Sequence, residues 1–447
     1  MDLLRICINE SCDIRLVIYP ILEHNASMFR SLLTSLSRSR FPYEPLIKVE
    51  ISKSRLLNNL NEFRKLAPKS PETHLGMVAP VLKSNAYGHG LFEVAQILER
   101  ENWARGTGRG RRIPFLVVDS YFEAVALRAK GVRSHILIIG YTRPETVRKS
   151  RGQNTAFTVT SLEMLKKICE IKYAAWQWET GTDGFYRYIP RSRKAHRIHL
   201  KIDTGMHRQG IIPDEIPQAI ELIEKSSSVI LEGICSHLSD ADNTDETHTE
   251  SQIHAWNTIV KKFTDKFSSL RFIHLSNTDG HKYASDITAN VTRLGIGLYG
   301  LSQNTNLIKK INILPVLEMK TLVSGVKQLK TGDAVGYGNS FICSKNIAIA
   351  TIPVGYFEGL DRRLSNVGSL LVGTNHIVCP IVGRVSMNIT NIDVTQVPGI
   401  KNDDEVIVIS RNRDDKNSLI NMALLCNTIS YDLVVRIPEH LKRNVVE

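Results

Sequence analysis

The stretch Pro80-Val81-Leu82-Lys83-Ser84-Asn85-Ala86-Tyr87-Gly88-His89-Gly90 decides the reading of this chain. Apolar residues run straight into a lysine. A tyrosine and two glycines follow, and an amphipathic pattern then begins at Phe92, Ala95, Ile97 and Leu98. The pattern predicts a strand that delivers Lys83 to its carboxyl end, with the glycines letting the chain turn closely past whatever the lysine carries. A lysine aimed inward from an apolar strand end is costly unless it is paired, deprotonated or covalently used. An imine to an aldehyde cofactor is the use that fits best. A solvated lysine at a strand terminus is the alternative that these residues alone leave open.

Working outward, short apolar runs alternate with helical stretches from Leu46 to about Gly300, the signature of repeated βα units and a parallel sheet. The runs read as strands are Met77–Leu82, Phe115–Val118, His135–Ile139, Ala156–Val159, His199–Ile202, Ile230–Cys235, Phe272–Leu275 and Asn290–Arg293. Between them, segments such as Leu162–Ile171 and Ile216–Ile223 space their apolar residues by three and four. Strands in this number predict a (β/α)8 TIM-type barrel, whose active site forms at the carboxyl ends of the strands. Polar residues stand where that geometry wants them: Lys83 after the first run, Lys201 and Asp203 at the fifth, His237 after the sixth, Asn277 and Thr278 after the seventh, Arg293 and Gly295 at the eighth. A barrel would bring all of them around one mouth.

After Gly300 the texture changes. Val316–Val323, Ala348–Ile352, Ile377–Val382, Thr390–Val394 and Val406–Ile409 are short β-type runs separated by Gly, Asn and Asp turns, and Ser418 to Cys426 reads as a helix. The expected organisation is an N-terminal extension over 1–45, a barrel over 46–303 and a mainly β domain over 304–447. The extension is expected to be disordered, or translation to start at Met28.

Of 447 residues, 42% are hydrophobic, ordinary for a globular protein with a sizeable core. No apolar run approaches the roughly 20 residues that a membrane-spanning helix needs. The net charge of +12 is concentrated partly in Arg105–Arg112 and Arg191–Arg197. Neither cluster has interleaved aromatics or a nucleic-acid module, so both are expected to be solvated insertions and not a nucleic-acid surface. Seven scattered cysteines without metal spacing point to reduced thiols in a cytoplasmic setting.

Three segments add chemistry. In Lys201-Ile202-Asp203-Thr204-Gly205-Met206-His207-Arg208-Gln209-Gly210, a guanidinium at a glycine-rich strand exit suits bidentate capture of a carboxylate or a hydrogen bond to a cofactor phenolate oxygen. In Arg293-Leu294-Gly295-Ile296-Gly297-Leu298-Tyr299-Gly300, backbone amides after a strand make an anion nest. In Gly332-Asp333-Ala334-Val335-Gly336-Tyr337-Gly338-Asn339-Ser340-Phe341, an isolated tyrosine lies between glycines in the β region.

The segment around Lys83 resembles the pyridoxal-phosphate attachment motif of alanine racemases, Val-Lys-Ala-Asn-Ala-Tyr-Gly-His-Gly, departing only at Leu82 and Ser84. The other three segments are similar to motifs of the same family, as are Gly233-Ile234-Cys235-Ser236-His237, His274-Leu275-Ser276-Asn277-Thr278, Ile352-Pro353-Val354-Gly355-Tyr356, Arg384-Val385-Ser386-Met387-Asn388 and Thr428-Ile429-Ser430-Tyr431-Asp432. The resemblance covers about residues 46 to 436. It implies a pyridoxal 5′-phosphate-dependent racemase, most simply one acting on alanine for peptidoglycan synthesis. Lys83 would bind the cofactor and move a proton on one face of the substrate, and Tyr337 would be the second base. Arg208 would contact substrate carboxylate and cofactor, and Lys201 would be open to carbamylation. Arg293 would donate to the pyridine nitrogen, with His237 beneath the ring. Tyr87 and Asn277 would line the cofactor, while Thr278, Gly295, Ile296 and Tyr431 would hold its phosphate. The Met387 amide and Tyr356 would meet the incoming substrate. A head-to-tail homodimer is implied, with Tyr337 donated across the interface.

Asn388 and Asp432 depart from the family's aspartate and glutamate, which bears on substrate preference. A broader amino-acid racemase of the same fold and a non-catalytic cofactor carrier are the alternatives; the carrier is disfavoured because Tyr337 is present.

Overall fold

The computed structural model describes residues 44–67, 77–102, 113–150, 153–171, 176–180, 186–190, 195–302 and 304–447. The N-terminal extension through residue 43, Arg105–Arg112, and residues 191–194 of the second basic cluster lie outside the described residues. Ile47–Glu447 forms one compact unit.

The predicted strand runs all form. Met77–Pro80, Leu116–Val118, Ile136–Ile138, Thr155–Val159, His196–Lys201, Val229–Cys235, Phe272–His274 and Val291–Leu294 follow one another as parallel neighbours. The eighth strand pairs with the first, Arg293 opposite Ala79 and Leu294 opposite Pro80. The first meets the second through Leu82 N–H donating to Val117 O at 2.7 Å, and the seventh meets the eighth through Asn290 N–H donating to Ile273 O at 2.9 Å. The sheet therefore closes into a barrel whose strands are buried on both faces along most of their length, as parallel sheets covered by helices require. The helices are capped as their sequences ask: Ser120 accepts from Glu123 N–H while Glu123 reaches back, and Ser161 accepts from Met164 N–H.

The β domain contains strands that short, alternating sequences hid. A six-stranded sheet runs Ile377–Pro380, Ser369–Val372, Glu405–Ile409, Leu317–Leu322, Lys48–Ser52, Arg443–Val446, beside a three-stranded sheet of Gly325–Leu329, Ile347–Ile352 and Thr390–Asp393. Lys48–Ser52, expected to open the barrel domain, is thus a strand of the C-terminal sheet. Its Val49 and Ile51 are fully buried. Its Glu50 meets Arg411 at 2.9 Å, and Arg411 reaches Glu318 at 2.7 Å. Ser52 then caps the helix Lys53–Leu66, so one short strand ties the two regions together. Between the fourth and fifth barrel strands, Trp176–Thr180 and Tyr186–Pro190 pair as an antiparallel two-stranded sheet.

The C-terminal strand also reaches the barrel mouth. Arg443 donates to Gly88 O at 2.8 Å and 3.1 Å, to Ile437 O at 2.9 Å and to Leu441 O at 2.6 Å. A buried guanidinium serving several carbonyls leaves them unsatisfied when removed. Arg443→Met is therefore expected to lower the unfolding free energy by about 3 kcal/mol, read from urea denaturation. A loss below about 0.5 kcal/mol would show that the turn after Lys83 does not depend on it.

Candidate active site at the carboxyl ends of the barrel strands

A cavity of about 520 Å³ opens at the carboxyl ends of the barrel strands. Lys83 enters it from a turn wound in the unusual hand. Ser84, Asn85, Ala86 and Tyr87 have φ of 57°, 55°, 52° and 51°, and Gly88 continues at 76°. A left-handed turn costs an L residue roughly 1–2 kcal/mol each, so the surroundings must hold it. They do so through Ala86 N–H to Leu82 O at 2.8 Å, Gly88 N–H to Ser84 O at 3.1 Å and Gly90 N–H to Asn85 O at 3.0 Å. Side chains help: Glu123 accepts from Ser84 N–H at 2.8 Å, and Asn85 Oδ1 accepts from Leu91 N–H at 2.7 Å. A Cβ at Gly88 would lie 2.1 Å from Val434 O, so this position is closed to any other residue.

Arg293, buried at the eighth strand, organises the polar floor. One terminal nitrogen donates to His274 Nδ1 at 2.6 Å and His274 O at 2.8 Å. The other donates to Ser236 O at 2.7 Å, Leu275 O at 3.0 Å and His237 Nδ1 at 3.1 Å. Those acceptors account for all four terminal hydrogens, which leaves the Nε–H as the guanidinium's donor for a ligand. Burial, with the Arg293 charge next, holds both His237 and His274 well below the usual imidazole range. Both rings are therefore neutral, accept at Nδ1 and carry their proton on Nε2.

A second group of donors gathers around Gly295. Burial pushes the Tyr87 phenol up to about 12 and raises Tyr431 further, so both keep a hydroxyl proton to donate. Their ring centroids lie 6.0 Å apart. Thr278 Oγ1 accepts from Gly297 N–H at 3.2 Å, which frees its own hydrogen for an anion. The amides of Gly295 and Ile296 precede the first bond of the next turn, Leu298 N–H to Gly295 O, and so have no carbonyl within that turn. Asn277 Oδ1 is occupied by Gly280 N–H at 2.9 Å, leaving its NH2 group as a donor.

Lys201 and Arg208 complete the cationic lining. Burial lowers the Lys201 ammonium, with the charges of Arg293 and Arg208 adding to the effect and Cys235 and Asp203 opposing it. The loop that carries Arg208 is folded by Asp203, whose Oδ1 accepts from Gly205 N–H at 3.0 Å and His207 N–H at 3.1 Å. Burial raises the Cys235 thiol.

The cavity thus collects Lys83, Tyr87, Lys201, Arg208, His237, Asn277, Thr278, Arg293, Gly295, Ile296 and Tyr431 from sequence positions far apart. It does not include Tyr337, Tyr356 or Met387. These lie on the β domain, 70%, 43% and 56% exposed. Asp119, Gly140, Tyr141 and Thr158 also line it, at the ends of the second, third and fourth strands, where the sequence reading named no candidates. The rule that located Lys201 and His237, polar residues just past a strand, points to Asp119 as well. The donor set fits pyridoxal phosphate: an amine, a ring-nitrogen donor, a carboxylate-binding guanidinium and a hydroxyl-and-amide nest for a phosphate.

The alanine racemase N-terminal domain profile matches residues 51–303 and the alanine racemase C-terminal domain profile matches residues 316–445. Alanine racemase 1 of Caldanaerobacter subterraneus subsp. tengcongensis is 31% identical over 398 residues, covering 89% of this chain and 94% of that protein. The solved alanine racemase of Clostridium difficile 630 superposes with a TM-score of 0.76 at 27% identity, over 91% of this chain and 97% of that one. The Bacillus anthracis alanine racemase with bound L-Ala-P superposes with a TM-score of 0.74 at 26% identity, over 91% and 96%.

His89, in the lysine turn, gives a pH signature. It is fully buried, donates from Nδ1 to Tyr87 O at 2.8 Å, and burial pushes its pKa down to about 4. A base whose folded pKa is depressed adds stability that is complete above the unfolded value, about 6.5, and is lost as pH falls toward the folded one. His199, His237, His274 and His281 shift in the same direction. Unfolding free energy is expected to fall steeply between pH 6.5 and pH 4. His89→Gln should flatten the slope by up to about 1.4 kcal/mol per pH unit, measured by denaturation at several pH values.

Proposed function

This chain belongs to the alanine racemase family, and on that premise we propose that it interconverts L- and D-alanine with pyridoxal 5′-phosphate, using Lys83 and Tyr337 as two bases. The observation that carries the proposal is the single cavity holding Lys83, Arg208, His237, Arg293 and the donors around Gly295. When bound, the cofactor supplies the electron sink that makes the substrate α-proton labile.

The chain's own residues do the rest. Lys83 would hold the cofactor covalently, and its Nζ would give or take the α-proton on one face. Tyr337 Oη would serve the other face, because one amine cannot reach both. By family behaviour Lys83 serves the D-enantiomer and Tyr337 the L-enantiomer. The neutral His237 accepts from Arg293 at Nδ1, so its Nε2–H is a donor that would stabilise a phenolate at Tyr337. Arg208 and the Met387 amide would hold the substrate carboxylate, with Tyr356 at the mouth. Arg293 cannot surrender its proton, so it would donate to the ring nitrogen without protonating it, tempering the sink and limiting transamination. Thr278, Tyr87, Tyr431, Asn277 and the amides of Gly295 and Ile296 would hold the rest of the cofactor. Lys201, its ammonium destabilised by burial, is suited to carbamylation, which would turn a repelling cation into a partner for Arg208.

The exposure of Tyr337, Tyr356 and Met387 supports a homodimer in which each β domain completes the partner's cavity. The organisation we adopt is a barrel to about residue 303 and a β domain from 304, with Lys48–Ser52 counted in the latter. No helix among the described residues is long and apolar enough to cross a membrane. The free thiols of Cys169, Cys235, Cys343, Cys379 and Cys426 support a cytoplasmic setting, with D-alanine made for peptidoglycan.

The test is solvent-deuterium exchange at the α-carbon with both alanine enantiomers and a panel of other amino acids. Wild type should exchange and interconvert both alanines, Lys83→Ala should lose cofactor attachment and activity, and Tyr337→Phe should lose the L-to-D direction by at least about 100-fold. Cofactor bound without exchange on any amino acid would replace this reading with that of a carrier.

A further inference from the structure

We propose that Glu232, deep in the barrel below the cavity, is a positioning residue for Arg293, acting through a directed chain of buried imidazoles that fixes where their protons sit. Glu232 lies three residues before the cavity-lining Cys235 on the sixth strand, roughly 10 Å further down the barrel. It is buried, an unusual place for a carboxylate. Barrel interiors are ordinarily packed with branched aliphatic layers; here the space also holds His199, His274 and Glu232.

The direction of each hydrogen bond follows from one fact: arginine only donates. Arg293 donates to His274 Nδ1 at 2.6 Å, so His274 must carry its proton on Nε2. That nitrogen lies 2.7 Å from His199 Nδ1, so His274 donates and His199 Nδ1 accepts. His199 then carries its own proton on Nε2, an atom with no hydrogen-bond partner among the described residues. It faces Glu232 Oε2 at 3.8 Å. That separation is too long for a hydrogen bond and close enough for a strong charge–dipole attraction in a dry interior. The carboxylate is anchored from elsewhere, by His135 Nε2 at 2.8 Å and Arg197 at 2.9 Å. Burial alone would raise its pKa, but the hydrogen bond from His135 and the electrostatic attraction of His199 outweigh that and hold it well below the usual carboxylate range.

Two further observations show that the chain is built for this path. A Cβ on Gly233 would lie 2.7 Å from His199 Nδ1, so the mid-strand glycine clears room for that ring. Phe272 stacks on His199 with centroids 5.7 Å apart, and Phe115 meets both His199 and His274 edgewise or tilted at 5.4 Å and 5.6 Å. The rings are held in one orientation, while Arg293 at one end and Glu232 at the other favour the same tautomers. Were His199 to carry its proton on Nδ1, it would face the Nε2–H of His274, and Arg293 would lose a fixed acceptor.

The catalytic consequence rests on the function proposed above; the proton positions do not. The experiment is histidine ¹⁵N NMR on the cofactor-loaded protein, together with racemisation kinetics, for wild type, Glu232→Gln, His199→Phe and the double variant. His274 and His199 in wild type should each show a protonated Nε2 and an unprotonated Nδ1. Glu232→Gln should mix the His199 tautomers and lower kcat on the order of 10-fold with KM moving less than about threefold. His199→Phe, which keeps a ring between Phe115 and Phe272, should lower kcat to a similar extent. In the His199→Phe background Glu232→Gln should cost no further kcat, although it should still lower thermal stability through the lost Arg197 and His135 contacts. A kcat loss of equal size in both backgrounds overturns the relay, as does a proton on His274 Nδ1 in wild type. If Glu232→Gln does not fold, an unchanged kcat in His199→Phe overturns it alone. Expected tautomers in a protein that racemises nothing would count against the proposed function and leave the proton assignment standing.

Discussion

Arg293 is a permanent cation in a place without water, and much of the barrel floor follows from that constraint. No carboxylate forms an ion pair with it among the described residues; the carbonyls of Ser236, His274 and Leu275 and two imidazole lone pairs carry the compensation. An isolated buried charge is prohibitive unless its hydrogen-bonding capacity is met. Meeting it with histidines forces them to be neutral and to accept at Nδ1. The same choice leaves cations in excess around the cavity, with Lys83, Lys201 and Arg208 beside Arg293 against Asp119 and Asp279. A cavity of that sign draws in doubly charged phosphate and carboxylate groups before any specific contact is made.

The left-handed turn at Ser84–Tyr87 is the second constraint, and it is local where Arg293 is distributed. Strain of this kind persists only where the surroundings over-determine the backbone. Glu123, Asn85 and Arg443 do so from three directions: a neighbouring helix, the turn itself and the last strand of the chain. The turn places Lys83 and Tyr87 in the same cavity within five residues, which a right-handed turn with side chains leaning back over the strand would not do. Glycines in the segment suggested a close turn; its hand was hidden, because four ordinary L residues adopt it under tertiary restraint.

The barrel was legible because each of its strands is a closed apolar run flanked by polar residues, a pattern that survives errors of a residue or two at the ends. The candidate site was legible for the same reason: Lys83, Lys201, His237, Asn277 and Arg293 each follow or end such a run. The missing parts are non-local. Lys48–Ser52 pairs with Leu317–Leu322 and Arg443–Val446, partners more than 250 residues away, and nothing in five alternating residues names them. Arg197, grouped by sequence with a solvated basic cluster, sits at the start of a barrel strand and reaches Glu232. Asp119 directly follows the run ending at Val118, so the same rule reaches it, but no motif around it marked it as chemical.

Asn388 shows how a departure from a family pattern can be read physically. Its amide donates to Glu358 Oε1 at 2.6 Å, and the other oxygen of that buried carboxylate takes the Gly355 N–H at 2.8 Å. Tyr356 and Phe357 amides donate to Ser386 and Met387 carbonyls at 3.0 Å and 2.9 Å, so the segments 355–358 and 386–388 form one clip. The backbones approach so closely that a Cβ on Gly355 would lie 2.2 Å from Ser386 O. An aspartate at 388 would set two carboxylates against each other at hydrogen-bond distance, where both cannot stay ionised. An amide donates to the Glu358 carboxylate and closes the clip without needing a shared proton. Tyr356 and Met387 are thus displayed together on a rigid, exposed edge, while Lys83 and Arg293 are held rigidly at the barrel mouth. On the proposed function, each half of the chemistry would be pre-organised on its own domain, so a homodimer would need only to bring two fixed surfaces together, with little further ordering to offset on assembly.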